Sequence, residues 1–92
     1  VFGHISDGNV HPNILARTAA EMASGREALL AIGAKVKELG GTPLAEHGVG
    51  RNALKQELMA RYHGDDAIAQ MKAIKSAMDP QWRLARGVLF SR

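Results

Sequence analysis

Cysteine is missing from the 92 residues of this chain. Its absence excludes a disulfide framework and a thiolate metal site, so any bound metal would rest on His, Asp and Glu. It also suits a reducing compartment, and a cytoplasmic location is the expectation. Long apolar runs are missing too, none approaching the roughly 18 residues that cross a bilayer. Aromatics number only four, Phe2, Tyr62, Trp82 and Phe90, too few for the stacking platform of an RNA-binding sheet. Lys and Arg outnumber Asp and Glu by 12 to 9. They are scattered from Arg17 to Arg92 and never form a block, so no nucleic-acid partner is expected. An initiator Met is lacking at Val1, and the chain reads as a piece of something longer. What remains, 46% hydrophobic and 23% charged, is the composition of one ordinary globular domain. A domain of this size buries only about 60 to 65% of its unfolded surface.

The stretch GHISDGNVH, residues 3 to 11, places His4 and His11 around an Asp-Gly pair. On one continuous strand their odd spacing would send them to opposite faces. Asp-Gly between β-favouring residues predicts a tight hairpin, because Gly accepts the positive φ of the reversal. With Asp7 and Gly8 as the turn, Val1 to Ile5 and Asn9 to Leu15 become the arms, and His4 faces His11. Directly opposed residues have Cβ atoms roughly 5 Å apart, close enough for two imidazoles to share one metal ion. Pro12 lacks an N–H, which leaves its edge unpaired or bulged.

Further along, Ala28, Leu29, Ile32, Val36 and Leu39 recur at helical spacing. They predict a helix from about Ser24 to Leu39, with Ser24 and Glu27 as a capping box and Gly40-Gly41 as the stop. Thr42 to Ala45 reads as short and extended. A second helix is predicted from about Asn52 to Tyr62, broken by His63-Gly64. A third opens at Asp65, buries Ile68, Met71, Ile74, Lys75 and Met78, and stops before Pro80. Leu84 to Phe90 reads as a final short strand or an extended tail. These elements predict an α+β fold, an antiparallel sheet with helices packed on one face.

Four groups carry potential chemistry: His4, His11, Asn13 and the adjacent pair Glu46-His47. Two neutral imidazoles and one carboxylate make the recurring ligand set of a catalytic divalent metal with open positions for substrate. Glu46 supplies the carboxylate. Gly48 lets the chain bend, which sets His47 beside the metal as a general base suited to neutral pH. The plainer alternative for His4 and His11 is a solvated cross-strand pair. The GVG at 48 to 50 lacks the third glycine of a phosphate loop, since position 53 is Ala. His63 suits a helix end, where a cation complements the dipole.

Taken together, GHISDGNVHPN, GGTPLAEHGVGR and MKAIKSAMDP resemble the C-terminal region of the FAD-linked oxidases of the glycolate oxidase, D-lactate dehydrogenase and D-2-hydroxyglutarate dehydrogenase group. The resemblance implies that residues 1 to 92 are part of a substrate or cap domain whose FAD-binding domain lies outside this chain. It implies His4, His11 and Glu46 as ligands of Zn, Mn or Fe, His47 as the base, and Asn13 as a contact to substrate. The implied reaction is oxidation of a small 2-hydroxy acid, with the electrons leaving through FAD to an unidentified acceptor. Alone, the chain is expected to be inactive and, with interface exposed, to self-associate as a homo-oligomer.

Three departures from the family pattern are visible. Ser6 stands where Gly is usual, LARGVLF replaces L-N-P-G-K, and the basic residue after the E-H-G block is displaced to Lys55 or replaced by Arg51. The competing reading is a small non-enzymatic module that keeps a metal or ligand for structure.

Overall fold

The computed structural model describes all residues from Val1 to Arg92. Its order is a 3-10 turn at Ile5–Asp7 followed by three helices, α1 at Ala19–Glu38, α2 at Ala53–His63 and α3 at Asp65–Met78. No helix is long and apolar enough to cross a membrane. The expected antiparallel sheet is not formed, and the α+β reading is corrected to a helical fold with one isolated antiparallel bridge, Phe2 to His11.

The reason lies in the register of the first loop. His11 pairs with Phe2, through N–H to carbonyl bonds of 2.6 and 3.3 Å, and not with His4. The carbonyl of His4 instead accepts from the amides of Asp7 and Asn9, at 2.9 and 3.1 Å, which closes a tight local turn. Gly3 makes the wide loop possible: its φ is 148°, and a Cβ there would lie 2.3 Å from the Asn9 carbonyl oxygen. The arms are thus too close for a side chain at that point, and the Asp-Gly pair closes a 3-10 turn in place of a hairpin. With Pro12 unable to donate and no third strand beside it, a lone bridge does not extend, because an isolated two-stranded ladder is marginal in water. The C-terminal run is no strand either. Ala85, Leu89 and the preceding Trp82 have φ of 43°, 66° and 52°, values incompatible with extended backbone.

The helices follow their sequence signals with one shift. T-x-x-E at Thr18 to Glu21 starts α1, not the S-x-x-E at Ser24 to Glu27. Thr18 Oγ1 accepts from the Glu21 amide at 3.1 Å, and the Glu21 carboxylate accepts from the Arg17 amide at 2.6 Å. Ser24 and Glu27 lie within the helix. Asn52 caps α2 by accepting from the Lys55 amide at 3.0 Å.

Helix α2 is the centre of the fold, packing against α1 on one side and α3 on the other. Gly33 lets α1 approach it, since a Cβ at that position would lie 2.3 Å from Leu58 Cδ2. Arg26 of α1 pairs with Glu57 of α2, which also holds Arg61. Lys37 donates to the carbonyls of Arg61 and Tyr62, at 3.1 and 2.7 Å, satisfying the end of α2. The core is thin: Gly25, Gly33, Val49 and Met59 are its buried residues. The apolar stripe expected on α3 is therefore only half covered. Ile68, Met71 and Lys75 are partly buried, but Ile74 and Met78 are exposed because no element packs over them. Ile32 and Leu39 of α1 are exposed for the same reason.

Candidate metal and proton-transfer site

Two separate loops converge at Glu46. The first holds His4 at the start of the 3-10 turn and His11 beyond its end, where the Phe2 bridge fixes the backbone of His11. Phe2 also stacks on the His11 ring, with centroids 4.8 Å apart and planes at 20°. The second loop carries Glu46 and His47 toward the first turn of α2. Its far end is tied down on several sides. Lys55 Nζ donates to the Gly48 carbonyl at 3.0 Å, and Gln56 Nε2 donates to the carbonyls of Gly50 and Gly87 at 3.1 and 2.8 Å. Arg51 Nε donates to the Arg86 carbonyl at 2.8 Å, and Val49 is buried beneath. Gly48, at φ 69°, supplies the bend that the sequence suggested.

The result is one carboxylate surrounded by three imidazoles. His11 Nε2 lies 2.7 Å and His47 Nε2 3.1 Å from Glu46 Oε1, while His4 Nδ1 lies 3.3 Å from Oε2. With both Nε2 atoms protonated, His11 and His47 donate to the same oxygen. Their rings are 4.7 Å apart, tilted by 42°. The His11 imidazole holds the Glu46 carboxyl below its ordinary pKa, and the Asn9 side chain and the charges of His4 and His47 act in the same direction.

The donor set suits a divalent cation. The ligand atoms of His11, Glu46 and His47 lie within 4.8 Å of one another. Two atoms bound to a single zinc at about 2.1 Å are no more than about 4.2 Å apart, so a small contraction would suffice. Nitrogen and carboxylate oxygen are suitable donors for Zn, Mn or Fe. His4 and His11 do not face each other across a ladder. They meet through Glu46, and His4 is the outlying member, with a side chain 67% exposed.

A cleft of about 790 Å³ opens beside the cluster. His11, Glu46, His47 and Asn13 line it, with Leu29, Ile32, Val36 and Leu58 of α1 and α2 forming an apolar wall. Asn13 thus shares the cleft with the cluster. Sequence reasoning missed Asn9, whose side chain supports Glu46, and it missed the fastening of the Glu46 loop by Lys55 and Gln56. Lys55 and Gln56 had one linear signal, their nearness to the E-H-G block, and Asn9 had only its place between His4 and His11.

Comparison with known proteins places the chain among FAD-linked oxidases and dehydrogenases. The chain is 42% identical over 94 residues to the glycolate oxidase subunit GlcD of Bacillus subtilis, covering 99% of this chain and 19% of that protein. It is 38% identical over 90 residues to the same subunit of Escherichia coli K12, covering 91% and 17%. It is 33% identical over 93 residues to a D-2-hydroxyglutarate dehydrogenase of Xanthomonas citri, covering 97% and 19%. The chain therefore spans about a fifth of the length of these relatives. No solved structure matches it significantly. The family model described as FAD linked oxidases, C-terminal domain, matches residues 1–89, and the chain belongs to that family.

Proposed function

We propose that this chain supplies the metal-binding and proton-accepting part of an FAD-dependent enzyme that oxidises a small 2-hydroxy acid. The observation that carries the reading is the Glu46 carboxylate set among His4, His11 and His47 at the mouth of an open cleft. Similarity to a glycolate oxidase subunit and to a D-2-hydroxyglutarate dehydrogenase supports the substrate class. The greater length of those relatives supports placing the FAD-binding part, and the route to the electron acceptor, outside residues 1 to 92.

In this reading His4, His11 and Glu46 hold the divalent cation, and none of the residues described is assigned to the flavin. When bound, FAD supplies the two-electron oxidant and the cation supplies Lewis acidity that lowers the pKa of a nearby hydroxyl. His47 accepts the hydroxyl proton at its ring nitrogen, and the adjacent Glu46 carboxylate stabilises the imidazolium that forms. Asn13, on the cleft wall, orients the substrate by hydrogen bonding from its carboxamide. The apolar residues of α1 and α2 limit the water that reaches the site. Without its oxidant the 92-residue chain is inactive.

The short distances among His11, Glu46 and His47 favour a second assignment, in which His47 binds the cation and the exposed His4 does not. Zinc titration of His4→Ala and His47→Ala separates the two. The first assignment expects a large loss of zinc affinity in His4→Ala and little in His47→Ala, and the reverse pattern would establish the second. Unaltered zinc affinity in both variants and in His11→Ala would discard the metal reading altogether.

A further inference from the structure

Lys55 is the one lysine or arginine on the wall of the cleft that holds His11, Glu46 and His47. Its ammonium donates to the Gly48 carbonyl at 3.0 Å and takes part in no ion pair. Other lysines are differently placed: Lys35 pairs with Glu38, and Lys75 with Asp79. The carboxylates lining the same cleft are Asp7 and Glu46, and Glu46 is already engaged by three imidazoles. Lys55 therefore has donors to spare and no counter-charge.

Its position on the helix sharpens the point. Lys55 sits in the first turn of α2, which contains no acidic residue. The N-terminus of a helix carries positive partial charge, so a lysine there opposes helix stability, whereas an anion would favour it. The Lys55 side chain lines the cleft beside Leu54 and Leu58, and no carboxylate of the chain pairs with its ammonium.

We infer that Lys55 is the anion anchor of the cleft, receiving the carboxylate of a small organic acid whose other oxygens lie toward the His-Glu cluster. The inference rests on the proposed reading of the cleft as a hydroxy-acid site, and it adds the residue that fixes the acid's orientation. Lys55 Nζ is bonded to the carbonyl two residues beyond Glu46. Lys55 and the His11, Glu46 and His47 side chains line the same cleft, so an acid anion held there meets both. Lys55 thus selects for anionic substrates, and its bond to Gly48 couples anion binding to the loop that carries His47.

The test titrates oxalate, a compact dicarboxylate, into the zinc-loaded and the metal-free chain by calorimetry at low ionic strength. Parent, Lys55→Gln and Lys55→Arg are compared, with zinc stoichiometry and helical circular dichroism measured on each. Gln retains a donor for the Gly48 carbonyl and removes only the charge, whereas Arg keeps the charge. Zinc content and helicity are expected to be the same in all three. Oxalate affinity falls about tenfold in Lys55→Gln and stays within about threefold in Lys55→Arg. The weaker binding to the metal-free chain falls in Lys55→Gln as well. Equal oxalate affinity in parent and Lys55→Gln, or no oxalate binding to either form of the parent, overturns the anchor. A parent that takes up no zinc but binds oxalate through Lys55 overturns the metal reading and leaves the anchor standing.

Discussion

Glu46 and Asp79 are the two carboxylates whose pKa is held low in this protein, and their surroundings differ in kind. Asp79 is enclosed by fixed donors. Lys75 pairs with it from α3, and the amides of Arg83 and Leu84 donate to its two oxygens at 3.1 and 2.9 Å. These contacts bring its pKa down to about 2, with the Lys75 bond the largest cause, and they end α3 by turning the chain at Pro80. Glu46 is instead surrounded by imidazoles drawn from two loops. Asp79 has its cation built in. The Glu46 cluster, counted with neutral histidines, carries a net negative charge and presents nitrogen and oxygen donors at one point. One arrangement completes a structural turn, and the other is the one we propose to take an external cation.

The largest effect that tests this contrast is on metal binding. Glu46→Gln is expected to weaken zinc by about two orders of magnitude or more, as removal of an anionic ligand should. Asp79→Asn should leave zinc affinity within a factor of two. Comparable losses in competitive zinc titrations of the two variants would erase the distinction.

Next in size is stabilisation by the ion itself. A ligand that binds only the folded state adds about 2.7 kcal/mol at a free concentration of 100 times its Kd. Zinc should accordingly raise the melting temperature of the parent and of Asp79→Asn, and should do so little for Glu46→Gln. A zinc-dependent shift that persists in Glu46→Gln would locate the bound ion elsewhere.

Acid titration examines the other carboxylate. The folded-state pKa of Asp79 is depressed from 3.8 to about 2. Its contribution is therefore present above the unfolded value and is lost as pH falls from about 3.8 toward about 2. The melting temperature of the metal-free chain should drop through that window, and Asp79→Asn should flatten the drop. An identical acid profile for the two chains would show that Asp79 contributes no proton-linked stability.

The smallest expected effect is remote from both carboxylates. Thr18→Ala removes the cap of α1 and should cost about 1 kcal/mol in urea denaturation. Zinc affinity should be unchanged, because Thr18 touches neither loop of the cluster. A change in zinc affinity would mean that α1 and the cluster are more tightly coupled than their contacts indicate.

Helix starts and stops were legible in the linear sequence wherever a local signal was unopposed. Asn52 caps α2, Gly64 separates α2 from α3, and α3 ends beside Asp79 and Pro80. The start of α1 was ambiguous because S/T-x-x-E occurs twice, at Thr18 and at Ser24, and helix formation extends to the earlier cap when nothing interrupts it. The hairpin was misjudged for a different reason. Asp-Gly can close a two-residue reversal or a longer loop, and the choice depends on which carbonyls the flanking amides reach. Here the amides of Asp7 and Asn9 both turn to His4, and Gly3 lets the opposite arm come close enough for Phe2 to take His11. The exposure of Ile74 and Met78 was likewise invisible, since periodicity marks a face that is apolar and not what covers it.

By itself the sequence determined the kinds of chemistry available: imidazole and carboxylate donors without thiolate, placed in two short motifs ahead of a capped helix. It also determined the local helix boundaries, because caps and breakers act within a few residues. Tertiary structure alone decided that His4 and His11 meet through Glu46 and not across a ladder, that His47 turns to the same carboxylate, and that Lys55 reaches the loop behind it. Those relations depend on backbone register and on the approach of separate segments. They are set by the whole balance of close packing and hydrogen-bond satisfaction, which no single stretch of residues encodes.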